Sequence, residues 1–147
     1  MKVDIFSRKD IQRLIDGEFP ANTAVISFHS PKDGRRDDYR PVDYRGKPER
    51  LFYVCAHDVD IEALPSFKLT CETYMPDAGE LAGFIRQAAA DGLDFICQCD
   101  YGQSRSAACA AAIREYFARS GIEVFADYRY YPNQLVYNKI IHALREA

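Results

Sequence analysis

The sequence predicts a single α/β domain, with a mostly parallel central sheet of about four strands flanked by helices. Three observations carry that expectation. Short runs of β-branched, aromatic and apolar residues recur at 23–28, 51–55 and 95–97. Between them lie stretches whose apolar residues repeat at helical spacing, and strands alternating with helices mark this class. The run Phe95-Ile96-Cys97 breaks at a polar loop containing Gly102, and an Ala-rich helix then starts near Gln103. At 147 residues the chain reads as one domain, 1–147, able to bury a core without staples.

Each element has its own warrant. Residues 2–6 alternate polar and apolar, as a half-buried strand does. Ser7 is a suitable N-cap, Asp10 stands in the capping-box position, and Ile11, Leu14 and Ile15 make one stripe of a helix ending near Gly17. Thr23 to Phe28 and Leu51 to Cys55 read as buried strands. Residues 29–50 are a long polar excursion with three prolines, expected to be a solvated loop or a lid carrying Arg35, Arg36 and Arg40 towards a second negative group. Residues 61–77 are irregular or briefly helical. Asp77 stands where it would cap a helix bearing Leu81, Phe84, Ile85, Ala88 and Ala89, with Gly92 beyond its end. Gly121 is expected to stop the Ala-rich helix, Val124 to Ala126 to form a brief strand or extended link, and Pro132-Asn133 to start a last helix on Val136, Tyr137, Ile140, Ile141 and Leu144. Tyr128, Tyr130 and Tyr131 are assigned to packing, and His142 to structure or surface.

Bulk properties narrow the function. The net charge is −3, which offers no basic field for nucleic acid or an anionic membrane. No apolar run approaches the ~20 residues of a membrane span, and the opening Met1-Lys2-Val3-Asp4 is not an apolar signal segment, so a cytoplasmic location is expected. The five cysteines are odd in number and lack zinc-finger spacing, so reduced thiols are expected. Cys55, Cys71, Cys97 and Cys109 read as small buried apolar residues. Cys97 and Cys99 are expected on opposite strand faces, sharing no metal.

Chemistry concentrates where the 95–97 strand ends. A helix N-terminus and the loop before it direct free N–H groups and the positive end of the helix dipole at one point. Cys99 opens that loop and Arg105 closes it. The donors and the guanidinium favour a thiolate, which is the nucleophilic form, and the planar fork of arginine can hold two phosphoryl oxygens. Gly102 admits a backbone conformation that a Cβ would obstruct. The Ser106 hydroxyl can support sulfur as a leaving group. These parts suit a two-step route, in which Cys99 attacks phosphorus and water hydrolyses the thiophosphate. A proton donor must come from another loop at the same end of the sheet. Asp58 is preferred because it comes first after the 51–55 strand; Asp60 is the alternative, and His57 a weaker one.

Cys99-x-x-Gly102-x-x-Arg105-Ser106 resembles the signature loop of the cysteine-dependent protein tyrosine and dual-specificity phosphatases. The order of helix, short strand, Cys loop and Ala-rich helix is similar too. The ending Tyr130-Tyr131-Pro132-Asn133, followed by Val136-Tyr137, resembles small prokaryotic tyrosine-phosphatase-like proteins. The likeness covers residues 50–147 well and 1–30 in general plan. It implies Cys99 as nucleophile and Arg105 as phosphate clamp. Asp100, Tyr101, Gly102, Gln103 and Ser104 would form the backbone cradle, with Ser106 beside the sulfur and an aspartate after residue 55 as acid. It also implies a phosphorylated protein or small phosphomonoester as substrate, and no metal or cofactor. Gln98 stands where the family carries histidine, and the chain has no tryptophan and so no Trp-Pro-Asp triplet. Two other readings remain: a phospho-ligand binding module without turnover, and a sulfur or arsenate transfer protein. Against the latter, rhodanese-type loops are usually a residue shorter.

Overall fold

The computed structural model describes residues 1–33 and 36–146. Four strands, β1 (Val3–Phe6), β2 (Thr23–His29), β3 (Arg50–Cys55) and β4 (Asp94–Gln98), form one sheet in the order β1-β4-β2-β3, with every neighbouring pair parallel. Strands β4 and β2 are therefore central, and the Cys99 loop leaves the sheet from an inner strand.

The period-two alternation of these strands sorts the core into two layers. Ala24, Ile26 and Phe28, with Phe95 and Cys97, face α2 (Ala78–Ala90), α3 (Arg105–Ala118) and α5 (Gln134–Arg145). Val25 and Ile96 face the other way, onto Ile11 and Ile15 of α1 (Arg8–Asp16) and onto Val42 and Tyr44. The helix ends follow their local chemistry. Ser7 Oγ accepts from the Asp10 N–H at 3.0 Å, and Asn133 Oδ1 accepts from the Val136 N–H at 3.0 Å. At the end of α2, Gly92 (φ +77°) turns left-handed while Leu93 N–H closes onto Ala88 O at 3.0 Å.

Several expectations need correction. Helix α3 begins at Arg105, not Gln103, and ends through the left-handed Arg119 (φ +53°) rather than Gly121. The glycine at 121 answers to packing instead: a Cβ there would stand 2.8 Å from Ala111 O. Residues Ile122–Phe125 form a one-turn helix, α4, not a strand, because Val124 packs on Ala107 and Ala111 rather than on a sheet edge. A 3-10 helix spans Ile61–Phe67. Asp77 occupies the N-cap position of α2 but makes no capping bond, and its Oδ1 is buried without a partner among the described residues. Cys55 and Cys71 are exposed, not buried. Cys97 and Cys99 join Cys109 in one core layer, since residues two apart in a strand share a face. Burial, with Cys97 and Cys99 alongside, pushes the Cys109 thiol well up. Tyr128 and Tyr131 are exposed rather than packed; only Tyr130 rests against the core.

The described part of residues 29–50 is not solvated throughout. Ser30, Asp38, Val42 and Tyr44 are buried, with Val42 and Tyr44 packed beside Val25, Ile96 and α1, while Lys32, Asp33, Asp37 and Arg40 are exposed. Arg35 lies outside the described residues.

Candidate active site

At the end of β4 the chain leaves the sheet through Cys99, crosses residues 100–104 and enters α3 at Arg105. Gly102 has φ +68°, and a Cβ built there would stand 2.6 Å from Ser7 N and 2.9 Å from Phe6 C. The loop thus folds directly over the β1–α1 junction, which only glycine permits. Two further bonds pin it there. Arg8 N–H donates to Asp100 O at 2.9 Å, and Cys99 N–H donates to Phe6 O at 3.3 Å. On the far side, Tyr131 N–H donates to Gln103 O and Asn133 N–H to Ser104 O, at 2.8 and 3.2 Å.

The carbonyls of Asp100, Gln103 and Ser104 are occupied, but most of the loop's own donors are not. The first backbone bond into α3 runs from Ala108 N–H to Ser104 O, and the N–H groups of residues 101–107 take no acceptor among the described residues. Ser104 makes no side-chain cap to the helix it precedes. A cluster of unpaired amides at the positive end of a 14-residue helix attracts an anion.

Cys99 is buried, and its Sγ lies 3.0 Å from Ser106 Oγ. Arg105 is 1% exposed. Its Nη1 donates to Ser30 Oγ and to Ala56 O, each at 3.0 Å, and its Nη2 donates to Asp38 Oδ2 at 2.5 Å. A guanidinium has five N–H groups. These three contacts leave Nε–H and one Nη2–H, and Nε is buried with no partner among the described residues. Those two donors can engage adjacent oxygens of a tetrahedral anion.

Asp38 is the counter-charge. Burial acts to raise its carboxyl, but hydrogen bonds and charge from Arg105, with help from Ser30 and Arg36, outweigh that and hold it at about 2. Arg36 bonds Asp38 Oδ1 at 3.0 Å, approaches Asp100 Oδ2 at 3.8 Å and lies over the Tyr101 ring. Tyr101 itself is exposed at the rim.

Gln98 completes the foundation. It is buried; its Oε1 accepts from Ser27 Oγ and, at 3.0 Å, from Tyr44 OH, while Nε2 donates to Cys99 O at 2.9 Å. Burial pushes the Tyr44 hydroxyl far above its ordinary value, so it stays a donor. Glutamine therefore orders the loop through the Cys99 carbonyl without contributing charge.

The two candidate acids separate cleanly. Asp58 Oδ1 accepts from Ser104 Oγ at 2.6 Å and from Asn133 Nδ2 at 3.0 Å, so it sits against the loop. Asp60 is exposed and caps the 3-10 helix through the Ala63 N–H. His57 faces Phe67 and Asp33, its Nε2 3.5 Å from Asp33 Oδ2. The nine sequence-derived site residues thus lie in or against one loop. Those that sequence reasoning missed are Ser30, Asp38 and Tyr44, and Asn133 beyond its capping role. A buried-looking Val42-x-Tyr44 pair between prolines was the only local hint of the first group.

No group of three or more His, Cys, Asp or Glu residues among those described could hold a metal ion, and no described helix is long and apolar enough to cross a membrane. No protein-family model and no curated protein sequence matches the chain. Solved structures do match. PTPMT1 in complex with PI(5)P is 14% identical, with 99% of this chain and 91% of that one covered at a TM-score of 0.56. Human DUSP28 is 14% identical, with 98% and 92% covered at 0.57. Tk-PTP in its active form is also 14% identical, with 99% and 92% covered at 0.56. The shared feature is the fold: this single α/β chain is built as the tyrosine and dual-specificity phosphatases are.

Proposed function

We propose that the protein is a phosphomonoester hydrolase acting through a phospho-cysteine on Cys99, with phosphotyrosine in a protein or a small aryl phosphate as substrate. The observation that supports this best is Arg105. It is a buried cation held by three acceptors, with Nε–H and one Nη2–H left over, in the first turn of the helix that follows the loop. A phosphoryl group would supply the missing acceptors.

In the first step the Cys99 sulfur attacks phosphorus while Arg105 and the loop amides take the equatorial oxygens. Asp58 protonates the departing oxygen. In the second step water attacks phosphorus, Asp58 takes its proton, and sulfur leaves as thiolate next to Ser106 Oγ. The route calls for no metal or cofactor. All five cysteines are unpaired, which suits the reducing cytoplasm as the proposed location.

The test is p-nitrophenyl phosphate hydrolysis by wild type and Cys99→Ser. The variant should lose four or more orders of magnitude in kcat/KM, roughly as for other covalent nucleophiles, yet still bind vanadate. Equal hydrolysis by both would remove the covalent mechanism. Vanadate binding by a wild type that turns over no ester would establish a binding module instead.

A further inference from the structure

Asn133 touches more of the site than a helix cap needs to. It is buried, at 9% exposure. Its Oδ1 accepts from the Val136 N–H, which caps α5 and fixes which end of the amide is which. Its Nδ2 is therefore a donor on the other side, and it reaches Asp58 Oδ1 at 3.0 Å and Val59 O at 2.9 Å. Its backbone N–H holds Ser104 O at 3.2 Å, on the same serine whose hydroxyl meets Asp58. Capping requires only the oxygen, and serine or aspartate would serve. The amide nitrogen is surplus to the helix and belongs to the acid.

We infer that Asn133 is a positioning residue that dictates which oxygen of Asp58 carries the transferable proton. The inference rests on the hydrolase reading above. Asp58 Oδ1 accepts from both Ser104 Oγ and Asn133 Nδ2. An amide N–H group cannot accept, so a proton on Oδ1 would have to displace it. Oδ2 has no hydrogen-bond partner among the described residues and takes the proton. In the first step that proton passes from Oδ2 to the ester oxygen as the P–O bond breaks and the S–P bond forms, leaving Asp58 ionised. In the second, water oxygen bonds to phosphorus, its proton returns to Oδ2, and the S–P bond breaks with its electron pair on sulfur. Because Asn133 also holds Ser104 and α5, it keeps the acid in register with the loop it must serve.

The experiment compares phenyl phosphate, whose leaving group needs protonation, with p-nitrophenyl phosphate, whose leaving group needs little. Asn133→Ser keeps the capping oxygen and removes the donor. Its kcat/KM for phenyl phosphate should fall about 10-fold or more, with a far smaller loss for p-nitrophenyl phosphate. Asn133→Asp keeps the cap and sets a second carboxylate oxygen against Asp58; it should show the same selectivity, larger, and it carries the test if the serine variant does not fold. On an Asp58→Asn background, Asn133→Ser should add nothing to the leaving-group dependence. Equal slowing of both esters, or full additivity with Asp58→Asn, overturns the inference. Selectivity in Asp58→Asn with none in either Asn133 variant overturns it alone and leaves the hydrolase intact. A wild type that hydrolyses neither ester, or an Asp58→Asn without leaving-group dependence, overturns the reading of the site and the inference with it.

Discussion

The loop at 99–104 runs into Arg105 along the chain, whereas Ser30 and Asp38 reach its guanidinium from the 29–50 excursion, and the two segments make opposite use of their polar groups. The loop holds the carbonyls of Asp100, Gln103 and Ser104 down on Arg8, Tyr131 and Asn133 and leaves the N–H groups of residues 101–105 without an acceptor among the described residues. The excursion uses its groups up: Ser30 Oγ and Asp38 Oδ2 accept from Arg105, and the Tyr44 hydroxyl is bound to Gln98. A surface that receives an anion has to keep donors idle, and idle donors keep their aim only when something behind them is fully bonded. Under the proposed function the two segments divide that labour, one as the receiving face and the other as the backing.

That division can be broken from either side. The largest effect is expected on the receiving face. Arg105→Lys keeps the charge but not the fork, and kcat/KM for an aryl phosphate should drop roughly 10²–10³-fold, comparable to losing a transition-state donor. A variant that keeps most of its activity would show that charge alone suffices.

On the backing side, Asp38→Asn leaves the buried guanidinium without its counter-charge. A loss of about 3 kcal/mol in unfolding free energy is expected, read by urea denaturation. The pair also sets a pH dependence. The Asp38 carboxyl lies at about 2 in the folded protein against an ordinary 3.8. A depressed carboxylate stabilises the fold above its unfolded value and loses that contribution as pH falls through the folded one. Wild-type stability should therefore decline more steeply than that of Asp38→Asn between about pH 4 and pH 2. Parallel declines would mean the ion pair does not hold the excursion in place.

The smallest effect is expected at the seam. Gln98→Leu orphans Ser27 Oγ, Tyr44 OH and the Cys99 carbonyl, a cost of about 1–3 kcal/mol. The proposed hydrolysis should slow with it, because the Cys99 carbonyl loses its tether. Unchanged turnover would place loop order elsewhere, in the Gly102 contact with the β1–α1 junction.

The same contrast explains what could be read from the sequence. The strands and most helices were legible because burial of one face imposes a period of two or 3.6. Cys99, Gly102, Arg105 and Ser106 could be named together as candidates because they fall within one short turn of the chain. Asp58 is preferred to Asp60 as the first aspartate after the 51–55 strand, and it is the one that lies against the loop, through Ser104 Oγ. Asp38 was not legible: it meets Arg105 across 67 residues, from a segment with no periodicity, and a polar, proline-rich composition looks the same whether a loop faces water or a buried cation. Asn133 announced its cap and concealed its second bond for the same reason, since Asp58 lies 75 residues away. The end of α3 at Arg119 escaped because a left-handed non-glycine residue carries no sequence mark.

Gly102 rests on Phe6 and Ser7, and β1 reaches the sheet only by pairing with β4. On a ribosome, residues 3–6 emerge long before residues 95–98 exist. Until both are out of the tunnel, the nascent chain has no floor on which the turn after Cys99 can close. Any affinity for phosphate should therefore switch on late and abruptly during synthesis, when the first strand and the last find each other.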